Sequence, residues 1–219
     1  MSNCEIWTFA PLSIEPHYSR DVLRALLHTI IFNRALGPVS PIDTDSELFD
    51  LTWVRCNDPA VEKIIEDTIN LLCNWIQKNQ GNQLAVCLSF YEKRDRQSWF
   101  SKSEERLYWE QWVITLNFHD PSEVTHTKQK KLLSSLEDAI TFIIRSVNEK
   151  RDHIPPVISG SAVTFPFDIS LTDPAGNKRG ALIDSNSSSP SSSSFSSSSF
   201  GLDVVRRMLQ HSNPPSVLH

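Results

Sequence analysis

The sequence predicts an α+β domain, with three long helices packed on a small, mainly antiparallel sheet and a β-hairpin carrying a long aromatic loop. Three observations lead there. Three segments repeat apolar residues at helical spacing, several shorter ones alternate apolar and polar residues, and the two cleanest alternating segments flank one polar stretch. The chain has 219 residues, 39% of them hydrophobic, and a formal charge of -5. That length can bury an ordinary core without metal or disulfide staples. The acidic balance argues against a nucleic-acid module, which needs a basic stripe to release counterions from phosphates.

From Tyr18 to Phe32, the residues Val22, Leu23, Leu26, Leu27, Ile30 and Ile31 form one helical stripe. Ser19 is placed to cap its start and Gly37-Pro38 to end it. In Leu48–Arg55, Phe49, Leu51 and Trp53 alternate with Asp50 and Thr52, as in a half-buried strand. Asp58-Pro59 is a helix-start signal, a capping carboxylate followed by proline in the first turn. The second helix runs from there to about Asn79, with Gly81 as its stop.

Gln83–Tyr91 and Tyr108–His119 are the clearest strands: Leu84, Val86, Leu88 and Phe90 share one face of the first, and Trp112, Ile114, Leu116 and Phe118 one face of the second. Between them Glu92–Arg106 reads as a polar connection, longer than most in compact domains. A third helix is expected over Glu123–Lys150, closed by Pro155-Pro156. Val163–Leu171 alternates again, and Pro166 within it points to an edge strand or a bulge. Residues 185–200 form a serine-rich tract expected to be disordered. A last amphipathic helix is expected from Gly201 in the tail 201–219, which leaves 1–184 as the folded domain.

Motifs that carry catalysis are absent: no glycine-rich phosphate loop, no H-E-x-x-H, no nucleophile elbow. We expect no enzyme activity, catalytic residue, cofactor or metal. Cys4, Cys56, Cys73 and Cys87 make no C-x-x-C pair and are expected as buried free thiols. A thiol–imidazole pair of His28 with Cys73 or Cys87 is the enzymatic alternative. The amino terminus carries no cationic stretch followed by an apolar run, so a cytoplasmic location is expected.

Within the polar connection, EKRDRQSWFSKSEER, Trp99 and Phe100 stand side by side amid charge. Either they fold back as a lid over the core or they project into water as a partner site. In the second case the rings offer roughly 150–250 Å² each.

The blocks LRALLHTIIFNRALG, FDLTWVR and LSFYEKRDRQSWFSKSEERLYWEQWVITLNF resemble the autophagy-related protein 101 family, which has the HORMA fold. The resemblance extends from Val22 to about Asp173. It implies a non-enzymatic adaptor that pairs with the HORMA domain of autophagy-related protein 13 in the autophagy-initiating Ser/Thr kinase complex. It also implies that Trp99 and Phe100 are an exposed aromatic finger recruiting downstream factors at the phagophore assembly site. Animal members carry a proline between the two aromatics, whereas here they are adjacent, and adjacent residues of an extended backbone point to opposite sides. The alternative within the same fold is a checkpoint or meiotic adaptor that traps a partner peptide.

Overall fold

In the computed structural model the described residues are 4–37, 39–78, 83–98, 101–119, 126–156, 164–172 and 183–184. In chain order they form β1 (Glu5–Thr8), β2 (Leu12–Ile14), a 3-10 turn (Pro16–Tyr18), α1 (Ser19–Asn33), β3 (Pro41–Asp45), β4 (Thr52–Cys56), α2 (Pro59–Lys78), β5 (Gln83–Ser98), β6 (Ser101–Phe118), α3 (His126–Glu149), β7 (Phe167–Thr172) and β8 (Ile183–Asp184). The fold is α+β, as expected.

The sheet, expected to be small and mainly antiparallel, is a mixed one. It has six strands in the order β1-β6-β5-β7-β8, with β2 also on β6, and both β1 and β2 run parallel to β6. These two short strands carry too few residues for alternation to reveal them. The strand expected over Leu48–Arg55 begins only at Thr52. It pairs with β3 in a separate hairpin, while residues 46–49 turn against α1 through the Asp21 carboxylate, which accepts from the Leu48 N–H at 3.2 Å.

The three helices have 15, 20 and 24 residues, so the expectation of three long ones is not borne out. Helix α1 ends at Asn33, close to the expected Phe32; Arg34 just after it reaches a buried carboxylate, and Ala35 bridges to Thr164. Ser19 is not its cap: its hydroxyl donates to the Pro16 carbonyl at 2.6 Å. Asp58 does cap α2, accepting from the Ala60 N–H at 2.8 Å. Gly37, at φ +81°, takes the left-handed backbone in the turn after α1.

Each helical stripe lands where its spacing puts it. Leu23, Leu26, Leu27, Ile30, Ile65, Ile69, Leu72, Leu136 and Ile143 meet Leu84, Val86, Leu88, Trp112, Ile114 and Leu116 of the sheet in one core. The opposite face of the sheet is smaller-grained: Ala85, Cys87 and Val113 form a separate buried cluster. Strand β7 lies between β5 and β8. Pro166 sits just before it, where its carbonyl accepts from the Tyr91 N–H at 3.0 Å, so the missing proline donor falls outside the ladder.

Candidate protein-interaction site

The polar stretch read as a connection is mostly strand. β5 and β6 stay in antiparallel register from Gln83↔Asn117 to Ser98↔Ser101, so the hairpin runs through Glu92–Arg106. Its two halves differ. Up to Phe90, β5 also pairs with β7, and from Glu110 onward β6 also pairs with β1 or β2. Beyond Tyr91 and Tyr108 the two strands pair with each other and with no other strand among the described residues. The seven residues from Glu92 to Ser98 carry this ribbon roughly 20–25 Å past the sheet. Lys93, Arg94 and Glu105 are exposed on it. Arg94 stands opposite Glu105 in register and bonds Glu92 on its own strand at 3.0 Å.

A bulge marks the boundary. Phe90 faces Glu110 while Tyr91 faces Tyr108, which leaves Trp109 as the extra residue. Without it, Tyr108 would share the face of Trp112. With it, Tyr108 turns to the opposite face and Trp109 joins the core beside Phe90 and Phe165.

At this foot the Tyr108 hydroxyl donates to Asp168 at 2.7 Å, and Arg106 lies 3.5 Å from the same carboxylate oxygen. The Arg106 guanidinium also sits 4.8 Å from the centre of the buried Tyr91 ring, a cation–π contact. Burial first, then the Asp168 charge, pushes the Tyr108 phenol well above its ordinary range, so it stays a donor.

One step further in lies a buried polar knot. Glu110 is fully buried and accepts from Arg34 Nε at 2.9 Å and Nη2 at 2.8 Å, and from Trp112 Nε1 at 2.6 Å. His153 Nε2 lies 2.6 Å from it. Burial opposes ionisation of Glu110, but the Arg34 hydrogen bonds and charge, with His153 and Trp112, hold its carboxyl below the usual range. The knot ties β6 to the end of α1 and to the segment after α3, and therefore fixes the root of the ribbon. Sequence reasoning missed it. A glutamate between Trp109 and Trp112 was the available signal, since a carboxylate inside a core strand needs a cation close by.

Trp99 and Phe100, the residues expected to bind partners, lie outside the described residues, as do the serine tract and the tail. In sequence they are the two residues that link Ser98 to Ser101. For Cys87 the thiol–imidazole alternative gains nothing from the geometry. Cys87 belongs to the cluster on one face of the sheet, while His28 lies in the core on the other, its ring 5.0 Å from that of Trp53. Burial, then the nearby Arg55, pushes the His28 imidazole down to about 4, and burial pushes Cys4 and Cys56 up to about 12 and about 11. Among the described residues no cluster of three His, Cys, Asp or Glu could hold a metal, and no helix is long and apolar enough to cross a membrane.

The family described as autophagy-related protein 101 matches residues 11–161. A protein of that name from Arabidopsis thaliana is 39% identical over 99% of this chain and 99% of its own length. Those of Xenopus laevis and Homo sapiens are each 23% identical over 74% of this chain and 80% of their own.

Proposed function

The chain belongs to the autophagy-related protein 101 family, and from that membership we propose that it is a non-enzymatic adaptor of autophagy initiation. In this reading it is a HORMA domain that pairs with autophagy-related protein 13 inside the autophagy-initiating Ser/Thr kinase complex, in the cytoplasm and at the phagophore assembly site. Trp99 and Phe100 then bind downstream factors.

The observation that carries the proposal is the self-paired ribbon. Its outer pairs extend past every other described strand, and its root is clamped by Asp168 and by the Glu110 knot. A rigidly rooted arm spends less ordering entropy when a partner takes its end. Covering two aromatic rings there would supply on the order of 7–12 kcal/mol gross, much of it offset by the costs of association. Aromatic anchors of this kind commonly dominate an interface.

The test is a Trp99→Ala/Phe100→Ala chain expressed in starved cells. Autophagosome formation should fall, while the protein's level and its co-purification with autophagy-related protein 13 persist. Normal autophagosome formation by the folded double variant would remove the finger. Failure of the wild-type chain to co-purify with autophagy-related protein 13 would remove the pairing.

A further inference from the structure

The sheet has two faces, and α1, α2 and α3 pack in the core on one of them. On the other, Ala85, Cys87 and Val113 form their own buried cluster, which among the described residues gains only the partly buried Ile6. In register this face continues sideways: Ala85 lies between Thr115 and Thr172, and Cys87 between Val113 and Ser170. Val113 is 4% exposed, Thr115 5%, Ser170 7% and Thr172 3%. A sheet face open to water does not reach such values, because its side chains stand perpendicular to the sheet with solvent above them. Thr8, beside Val113 on the outermost strand β1, is exposed, so the cover lies over β6, β5 and β7 and stops short of β1. No described helix supplies it.

Composition and tethering single out the source. Residues 79–82 and 120–125 hold one aliphatic side chain between them, Val124, and residues 173–182 hold only Leu182 and two alanines. Residues 157–163 are held at both ends on the helix side, where Ile154 and Phe165 join the core. Trp99 and Phe100 follow the far end of the ribbon. The tail, by contrast, carries Leu202, Val205, Met208 and Leu209, which fall on one side of a helix. Its tether is long enough. Strand β8 ends at Asp184, two strand spacings or about 10 Å from β5, and the serine-rich residues 185–200 span about 20–25 Å on average. The dimensions agree as well: a helix over Gly201–Gln210 is about 15 Å long, and the strip from Ala85 to Ser89 about 13 Å. So short a helix is marginal alone in water and takes its stability from packing.

We propose that the tail of this chain docks on the second face of the sheet as an amphipathic helix, with Leu202, Val205, Met208 and Leu209 against Ala85, Cys87 and Val113. The chain thereby braces from behind the strands that root the ribbon. This contact is independent of Trp99, Phe100 and any partner protein.

The experiment exposes the full chain to short pulses of iodoacetamide at neutral pH and reads Cys87 and Cys56 separately by peptide mass spectrometry. Cys56, 1% exposed in the core on the helix side, reports on opening of the whole fold. Val205→Asp/Leu209→Asp should speed alkylation of Cys87 at least about tenfold, the factor that one lost aliphatic burial represents, and leave Cys56 as slow as before. Arg207→Asp, on the other side of the helix, should change neither rate. In the wild-type chain the protection of Cys87 should be the same at low and high protein concentration. An unchanged Cys87 rate in the double variant, or equal acceleration of both cysteines, overturns the proposal. So does protection that weakens on dilution, which would assign the cover to a second copy of the chain.

Discussion

The two halves of the β5–β6 hairpin share a backbone ladder and almost nothing else. In the inner half every described strand neighbour is present, and Leu84, Val86, Leu88, Phe90, Trp112, Ile114 and Leu116 are essentially inaccessible to water. In the outer half the strands have only each other, and the side chains described are charged apart from the half-buried Leu107. Isolated two-stranded hairpins are marginal in water, so the outer half depends on the inner half for its geometry. The inner half holds the fold together, and the outer half extends it to where a partner can reach.

Replacing Arg34 with Met should hurt most, because it strands the buried Glu110 carboxylate. A loss of about 3–5 kcal/mol is expected in urea unfolding at neutral pH. The pH dependence gives the sign. The native Glu110 carboxyl sits below its ordinary value, so the stability it contributes is complete above the ordinary carboxylate range and is lost as pH falls through the lowered native value. In the variant the carboxyl titrates higher, and the deficit should shrink as the pH drops into the acid range. A deficit that stays constant with pH would show that lost packing, not the orphaned charge, is responsible.

Tyr108→Phe tests the boundary between the halves. It removes a donor from the 2%-exposed Asp168 and should cost about 1.5–3 kcal/mol. An unchanged unfolding midpoint would mean that the foot is not part of the cooperative core. The smallest effect is expected from the ribbon itself. Replacing residues 94–105 with Asn-Gly, a pair suited to a two-residue turn, should change stability by less than about 1 kcal/mol. A loss of several kcal/mol would break the distinction between the halves.

The same comparison explains what the sequence could reveal. Alternation exposed the inner strands because one face of each is apolar and buried, so the period of two is written in residue types. Lys93, Arg94 and Glu105 are exposed on a ribbon where the period leaves no trace and backbone pairing makes the strand. That is why Glu92–Arg106 read as a loop. Strands β1 and β2 escaped because three or four residues cannot establish a pattern, and their partner β6 lies a hundred positions away. The helices were legible from their stripes and from Asp58-Pro59. The Glu110 knot was not, because Arg34, Glu110 and His153 meet only after the chain has folded.

Trp109 has a further consequence for any change in the arm's length. One surplus residue on β6 already decides which side each outward position presents, so a second insertion or deletion on a single strand would swap left for right along the entire arm. The projection can grow or shrink only by matched additions, one residue on each side. Its reach is adjustable in paired increments, whereas the sides it shows to a visitor are set once, at the root.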